Sequence, residues 1–215
     1  MLHTAIPTQR RTRGRPRRED VAAIEEVLLG VALKEFLEHG YGGASLARIV
    51  RNAGISKTTL WSRYADKAAL FRAIMNRQIE RMDGDHVLLP DGGKPDLAKG
   101  LLSYATHLLN AAVEGEMPAV ERLLATEAAR FPELGKAAVE RTMLVVRQVT
   151  DFIRLCTRDD PRPCRDPEGV ARQFIGTLVG WHSMQQLACM TASRQKREAY
   201  AGRLVELLMA ARDAW

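Results

Sequence analysis

Cysteine is scarce in this chain. There are three among 215 residues, Cys156, Cys164 and Cys189. An odd number at such loose spacing suits neither a disulfide framework nor a zinc module, and it fits a reducing, cytoplasmic setting. Long apolar runs are missing as well: no window approaches the roughly 18 consecutive apolar residues of a membrane span. Arg10, Arg11 and Arg13 are followed by no apolar stretch, so no secretory signal is expected. No segment sustains period-two alternation between hairpin turns, which removes a sheet from the expected fold. His107, His182 and Cys156 stand in no nucleophile, metal or phosphate-loop context, so no catalytic residue, metal or cofactor is expected.

What is present is an ordinary globular balance, 46% hydrophobic and 27% charged, in a length suited to one or two modest domains. The net charge of +6 is unevenly shared. Residues 1–82 hold 15 Lys and Arg against 8 Asp and Glu, a net of +7, while residues 83–215 hold 17 against 18, a net of −1. One end is built to meet a polyanion, and the other is electrostatically neutral. A merely solvated basic face is the alternative reading of the charge alone.

Apolar spacing predicts an all-α chain of about nine helices. Residues 1–18 carry six arginines and no acid, and are expected to be a disordered basic arm. A first helix begins near Asp20, with Ile24, Val27, Leu28, Val31, Phe36 and Leu37 as its inner face, and ends at the glycines around Gly40. Ser45 caps a short second helix, Ser56 caps a third running to about Tyr64, and a fourth starts at Asp66. After a Pro- and Gly-rich loop at 90–95, helical patterns follow at about 96–113, 119–129, 133–155, 167–190 and 196–213. The expected organisation is an arm (1–18), an N-terminal helical domain (19–65) and a larger helical domain (66–215), to which the motif and resemblance below give the roles of helix-turn-helix DNA-binding domain and of ligand-binding and dimerisation domain.

Residues 45–64 carry the functional signal. Two short helices meet at Gly54, which supplies the positive φ of a tight corner, and Leu46, Ile49, Val50, Ile55 and Leu60 point inward. The outer face of the second presents Lys57, Thr58, Thr59, Trp61, Ser62 and Arg63. Two cations, three hydroxyls and an aromatic on one short helix suit entry into a major groove.

Ser45-Leu46, Ile49-Val50, the run from Ala53 to Trp61, Tyr64, Asp66-Lys67 and Leu70-Phe71 resemble the signature of TetR-family (AcrR-like) transcriptional regulators. The specific match covers roughly residues 20–75. Trp61 stands where the family usually has Tyr, and Arg63 where an aromatic is frequent. The resemblance implies a cytoplasmic, homodimeric, ligand-responsive repressor that binds double-stranded operator DNA and is not an enzyme. It implies phosphate or base-edge contacts for Thr59 and Trp61, phosphate pairing for Lys67, and base readout for Lys57 and Thr58. Ser45 and Arg48 are further phosphate candidates, and Arg63 would add a cation for the backbone.

Arg13 and Arg15, in Arg13-Gly14-Arg15-Pro16-Arg17, resemble the core of an AT-hook, and extended arginines fit a narrow minor groove. Tyr104, His107, Met143, Phe152, Phe174, Trp181 and His182 are aromatic, soft or polarisable groups in aliphatic helices, the candidates for the pocket of an unidentified small apolar effector. Gly176 and Gly180, four apart, and Leu204 and Leu208 on the last helix are candidates for the dimer surface. Two other readings stay open: a sequence-indifferent nucleoid-type protein, favoured by the arm, and a thiol sensor at Cys164, which reads as exposed in a Pro-rich loop.

Overall fold

Serines and aspartates set the frame of this molecule by starting its helices. In the computed structural model, which describes residues 18–81, 96–161 and 163–215, Ser45, Ser56, Asp96, Asp166 and Ser193 each accept a hydrogen bond from the backbone N–H three residues on. Each satisfies one of the amides that a helix start leaves without a partner. Prolines at the first turns of α6, α7 and α8 sit where no amide is needed. The described residues form α1 (Arg18–Gly43), α2 (Leu46–Asn52), α3 (Lys57–Trp61), α4 (Lys67–Arg81), α5 (Leu97–Ala111), α6 (Met117–Glu127), α7 (Pro132–Thr157), α8 (Pro167–Leu187) and α9 (Arg194–Ala210), then a short 3₁₀ turn, with no strand among them. The all-α, nine-helix expectation holds.

Several boundaries and faces differ from the sequence reading. Helix α1 already includes Arg18 and runs through Asp20, and it breaks at Gly40, whose φ is 65°. Its buried side is Leu28, Leu29, Ala32, Leu33 and Phe36, whereas Val27 is 52% exposed. Of the expected inner face, Leu28 and Phe36 are buried and Val31 and Leu37 pack half-buried against the same core, while the buried side takes in Leu29, Ala32 and Leu33 in place of Val27. Helix α3 stops at Trp61 and α8 at Leu187, each about one turn short. Arg13 and Arg15 lie outside the described residues.

Two hydrophobic cores divide the molecule. The first joins α1 to α4 through Phe36, Ile49, Leu60, Leu70, Phe71 and Ile74, and takes in Val120 and Leu123 of α6 with Phe131 and Leu134 at the start of α7. Phe71 and Phe131 both lie 5.0 Å from the ring of Tyr41, and 5.0 Å from each other. A buried Phe stabilises by about 3 kcal/mol, so this plug is a strong tie between the N-terminal helices and the α6–α7 corner. The second core gathers α5, α7, α8 and α9 around Leu101, Tyr104, Ile153, Phe174 and Leu178. Helix α7 runs through both, so the cores meet along helices and not at a single chain position.

No helix among the described residues is long and apolar enough to cross a membrane. Cys164 is half-buried, not exposed as expected, and burial pushes its thiol up, away from the thiolate that a reactive cysteine needs. Burial raises the Cys156 thiol further, to about 11.

Candidate nucleic-acid interface

The corner between α2 and α3 is closed first by backbone hydrogen bonds. Gly54 sits at φ 64° just past the α2 C-cap, the amide of Gly54 donates to the carbonyl of Arg51 at 3.2 Å, and that of Ile55 to Val50 at 3.2 Å. This crossed pair satisfies two carbonyls that the helix end would leave open, and an alanine there would be strained. Val50 and Ile55 both pack against the first core, so the turn is also pinned by apolar contact.

Helix α3 then starts on Ser56. Its hydroxyl accepts from the Thr59 amide at 3.0 Å and lies 2.8 Å from Thr59 Oγ1. Leu60 is 1% exposed and anchors the inner side. Lys57, Thr58, Trp61 and Ser62 are exposed at i, i+1, i+4 and i+5, one face of a single helical turn. Thr59, half-buried and bonded to Ser56, lies at the edge of that face. The structure thus brings together Lys57, Thr58 and Trp61, and Trp61, 49% exposed, has its ring in solvent.

The other basic candidates are held by partners that local spacing could not reveal. Arg48 donates through Nε to Glu35 Oε1 at 2.8 Å and through Nη2 to the Gly43 carbonyl at 2.9 Å. Glu35 is 6% exposed and also accepts from the Ser45 amide at 2.7 Å. Ser45 Oγ meanwhile caps α2. Arg63 pairs with Glu25 of α1 at 3.1 Å. Tyr64 donates to the same carboxylate, and burial, followed by the nearby Glu25 charge, pushes its hydroxyl up to about 12. Lys67 opens α4, donates to the Gly42 carbonyl at 3.1 Å and stands 5.0 Å over the Tyr41 ring. Arg130 lies 4.9 Å from the same ring. Burial lowers Lys67, and its cation adds to the partial positive charge of the α4 N-terminus, a setting suited to phosphate.

Glu35 was missed from sequence, although an acid flanked by Leu33 and Phe36 on an otherwise apolar face is a readable signal. The Arg48 hydrogen bond holds its carboxyl below the usual range, burial opposes this, and the Ser45 amide reinforces it. A depressed carboxyl stabilises the fold fully above its unfolded pKa, near 4.5, and loses that contribution as pH falls through the folded value. Glu35→Gln is expected to cost about 1–2 kcal/mol at pH 7, as charge-assisted bonds from a buried group are lost. In urea melts the gap between mutant and native protein should close on acidification below pH 4.5. A gap of constant size would contradict this role.

The seven pocket candidates do not share one cavity. Tyr104, Phe152 and Phe174 are packed into the second core. A Cβ on Gly100 would collide with the Phe152 ring, so that glycine is where α5 lets the ring lie flush. Met143 sits at the edge, 3.3 Å from Arg172 Nη1. His107 is exposed on an open trough whose lining comes from α5 and the turn after it. Only Trp181 and His182 line a common hollow, of about 190 Å³. Of the dimer candidates, Gly176 and Gly180 are exposed with nothing of their own chain near a Cβ. Leu204 and Leu208 instead pack half-buried against the second core, and Leu207, 52% exposed, is the outward residue of α9.

Residues 28–74 match the family model described as bacterial regulatory proteins, tetR family, and residues 99–212 match the AefR-like transcriptional repressor C-terminal domain. The HTH-type transcriptional repressor ComR of Escherichia coli is 30% identical over 110 residues, which is 51% of this chain and 50% of ComR. The chain thus matches about half the length of that relative. The HTH-type transcriptional repressor Rv1474c of Mycobacterium tuberculosis is 24% identical over 75% of this chain and 81% of its own. A Mesorhizobium loti protein solved as a TetR-family transcriptional regulator shares the fold with a TM-score of 0.77, at 22% identity over 91% of this chain and 98% of that one.

Proposed function

The chain belongs to the TetR family of DNA-binding transcriptional regulators, and on that premise we propose that it is a homodimeric repressor that a small, largely apolar effector releases from a palindromic operator. The observation that carries this reading is the division of α3: Leu60 is locked in the core while Lys57, Thr58, Trp61 and Ser62 face solvent together. A lysine in that position can donate to guanine O6 and N7, and a threonine methyl can meet thymine. Lys67, at the α4 N-terminus, suits a phosphate contact that sets register without reading sequence. Trp61 offers an indole N–H where the family usually carries a tyrosine hydroxyl.

One such helix makes too few base contacts for useful specificity, which motivates a two-fold pair reading two half-sites. The outward faces of α8 and α9 offer the surface, with Gly176, Gly180, Met184 and Leu187 on α8 and Leu207 on α9. An effector that prefers the free conformer by about 1–3 kcal/mol would weaken operator binding about 5- to 150-fold.

Selection of duplexes from a random pool by the purified protein tests the reading. The expected product is a palindrome whose half-sites lie about 10 base pairs apart, centre to centre, or a multiple of that. Recovery of unrelated sequences, bound as tightly as competitor DNA, would replace the repressor with a sequence-indifferent binder.

A further inference from the structure

The hollow beside Trp181 lies where α6, α8 and the turn into α9 converge. Two of its lining residues, Arg122 and Arg197, are cationic, and no carboxylate lines it. Arg197 is fixed by neutral acceptors: Nε donates to Asn110 Oδ1 at 2.8 Å and Nη1 to the Ala192 carbonyl at 2.5 Å. Arg197 is thus held in place without a carboxylate of its own, and Arg122 is an exposed side chain free to swing toward it. The apolar wall is Trp181, stacked on Tyr200 at 4.5 Å, with Met190 and Pro118. At about 190 Å³ the hollow is smaller than the usual 300–1,000 Å³ of drug-sized sites, and it holds one ring with a short polar group.

We propose that this hollow is the effector site and that it takes a monoaromatic carboxylate, its ring on Trp181 and its anion between Arg122 and Arg197. The assignment rests on the ligand-released repressor proposed above. Guanidinium forks match carboxylate geometry, and an aromatic body on an indole face excludes water from the pair.

The same corner reaches the DNA-binding helices. Behind the hollow, Glu121 Oε2 lies 2.7 Å from His182 Nε2 and also accepts from the Gln186 amide, whose nitrogen is 2.6 Å from the imidazole nitrogen. One consistent proton arrangement has His182 Nε2–H and the amide both donating to Glu121. Glu121 clasps α6 to α8, and its neighbours Val120 and Leu123 are buried in the first core with α1 and α4. Arg122 is the next residue on that helix. An anion that draws Arg122 toward Arg197 therefore loads α6, which packs against the helices that aim α3.

Titration calorimetry of the DNA-free protein with benzoate, 4-hydroxybenzoate and phenylacetate, against benzamide and benzylamine as neutral and cationic controls, tests the assignment. The acids should bind at least tenfold tighter than either control, and Arg197→Met should lower their affinity about 10- to 100-fold while leaving benzamide unchanged. Arg122→Met, on an exposed side chain, gives the same readout where the first variant fails to fold. Acids that bind no better than benzamide at millimolar concentration, or variants that bind them as before, overturn the site. Operator release is measured separately by fluorescence anisotropy. An acid that depends on Arg197 for binding but leaves operator affinity unchanged overturns the effector reading while the site stands.

Discussion

Replacing Gly176 and Gly180 together by leucine yields monomers that are more stable to unfolding than an isolated native subunit and that no longer hold the operator. The two effects have separate causes. A Cβ at either glycine meets nothing in its own chain and both positions are exposed, so the added side chains have open space outside the subunit. Glycine in a helix interior costs up to about 1 kcal/mol relative to a good helix former, and each leucine recovers most of that. Leucine's bulk, on the other hand, stands where a second α8 would approach the backbone closely. Val179, Met184 and Leu187 are exposed on the same outward side, the last at 86%. A pair of reading heads gains about 10²- to 10⁴-fold from being linked, and a monomer forfeits that gain. Sedimentation at monomer mass, a melting temperature that no longer depends on protein concentration, and operator affinity down at least about 100-fold are the expected set. A dimer of native stability would move the seam to another surface.

The second large effect is on discrimination. Lys57→Ala with Thr58→Ala removes two exposed side chains from α3 and leaves Leu60 and the Ser56 cap in place. Each lost base contact is worth about 1–3 kcal/mol, so the double variant should bind its selected operator about 30- to 10⁴-fold more weakly, with little change on unrelated DNA. Lys67→Ala is the contrast. It should weaken all duplexes about equally and lower the salt slope by roughly one. Competition binding at two salt concentrations separates the patterns. If the α3 variant kept its full preference for the operator with its helical content intact, the proposed readout would fail.

The reading elements were legible because their chemistry is local. Ser45, Ser56 and Gly54 act within four residues of themselves, and the structure puts each where its side chain or its lack of one requires. The face of α1 was legible only in part, because Leu28 and Phe36 belong to two adjacent apolar stripes. Packing against α2, α4 and α6 adds Leu29 and Leu33 to them and leaves Val27 outside. Long-range partners were also hidden. Arg48 finds Glu35 at 13 residues' separation, Arg63 finds Glu25 at 38, and His182 finds Glu121 at 61. The aromatic side chains of the C-terminal helices mark packing as readily as binding, and spacing along a single helix does not tell the two apart. What distinguishes Trp181 is the α6 arginine and the α9 arginine that come to lie beside it.

Phe131 has a practical consequence for engineering. Its ring belongs to the α6–α7 corner yet sits among Tyr41 and Phe71, and Tyr41 in turn carries the Lys67 ammonium on its face. A chimera cut between α4 and α5 would take away the keystone of its own head. Hybrid sensors made from this chain must transplant the stretch through Leu134 along with the head, or graft only the solvent side of α3 onto an intact recipient.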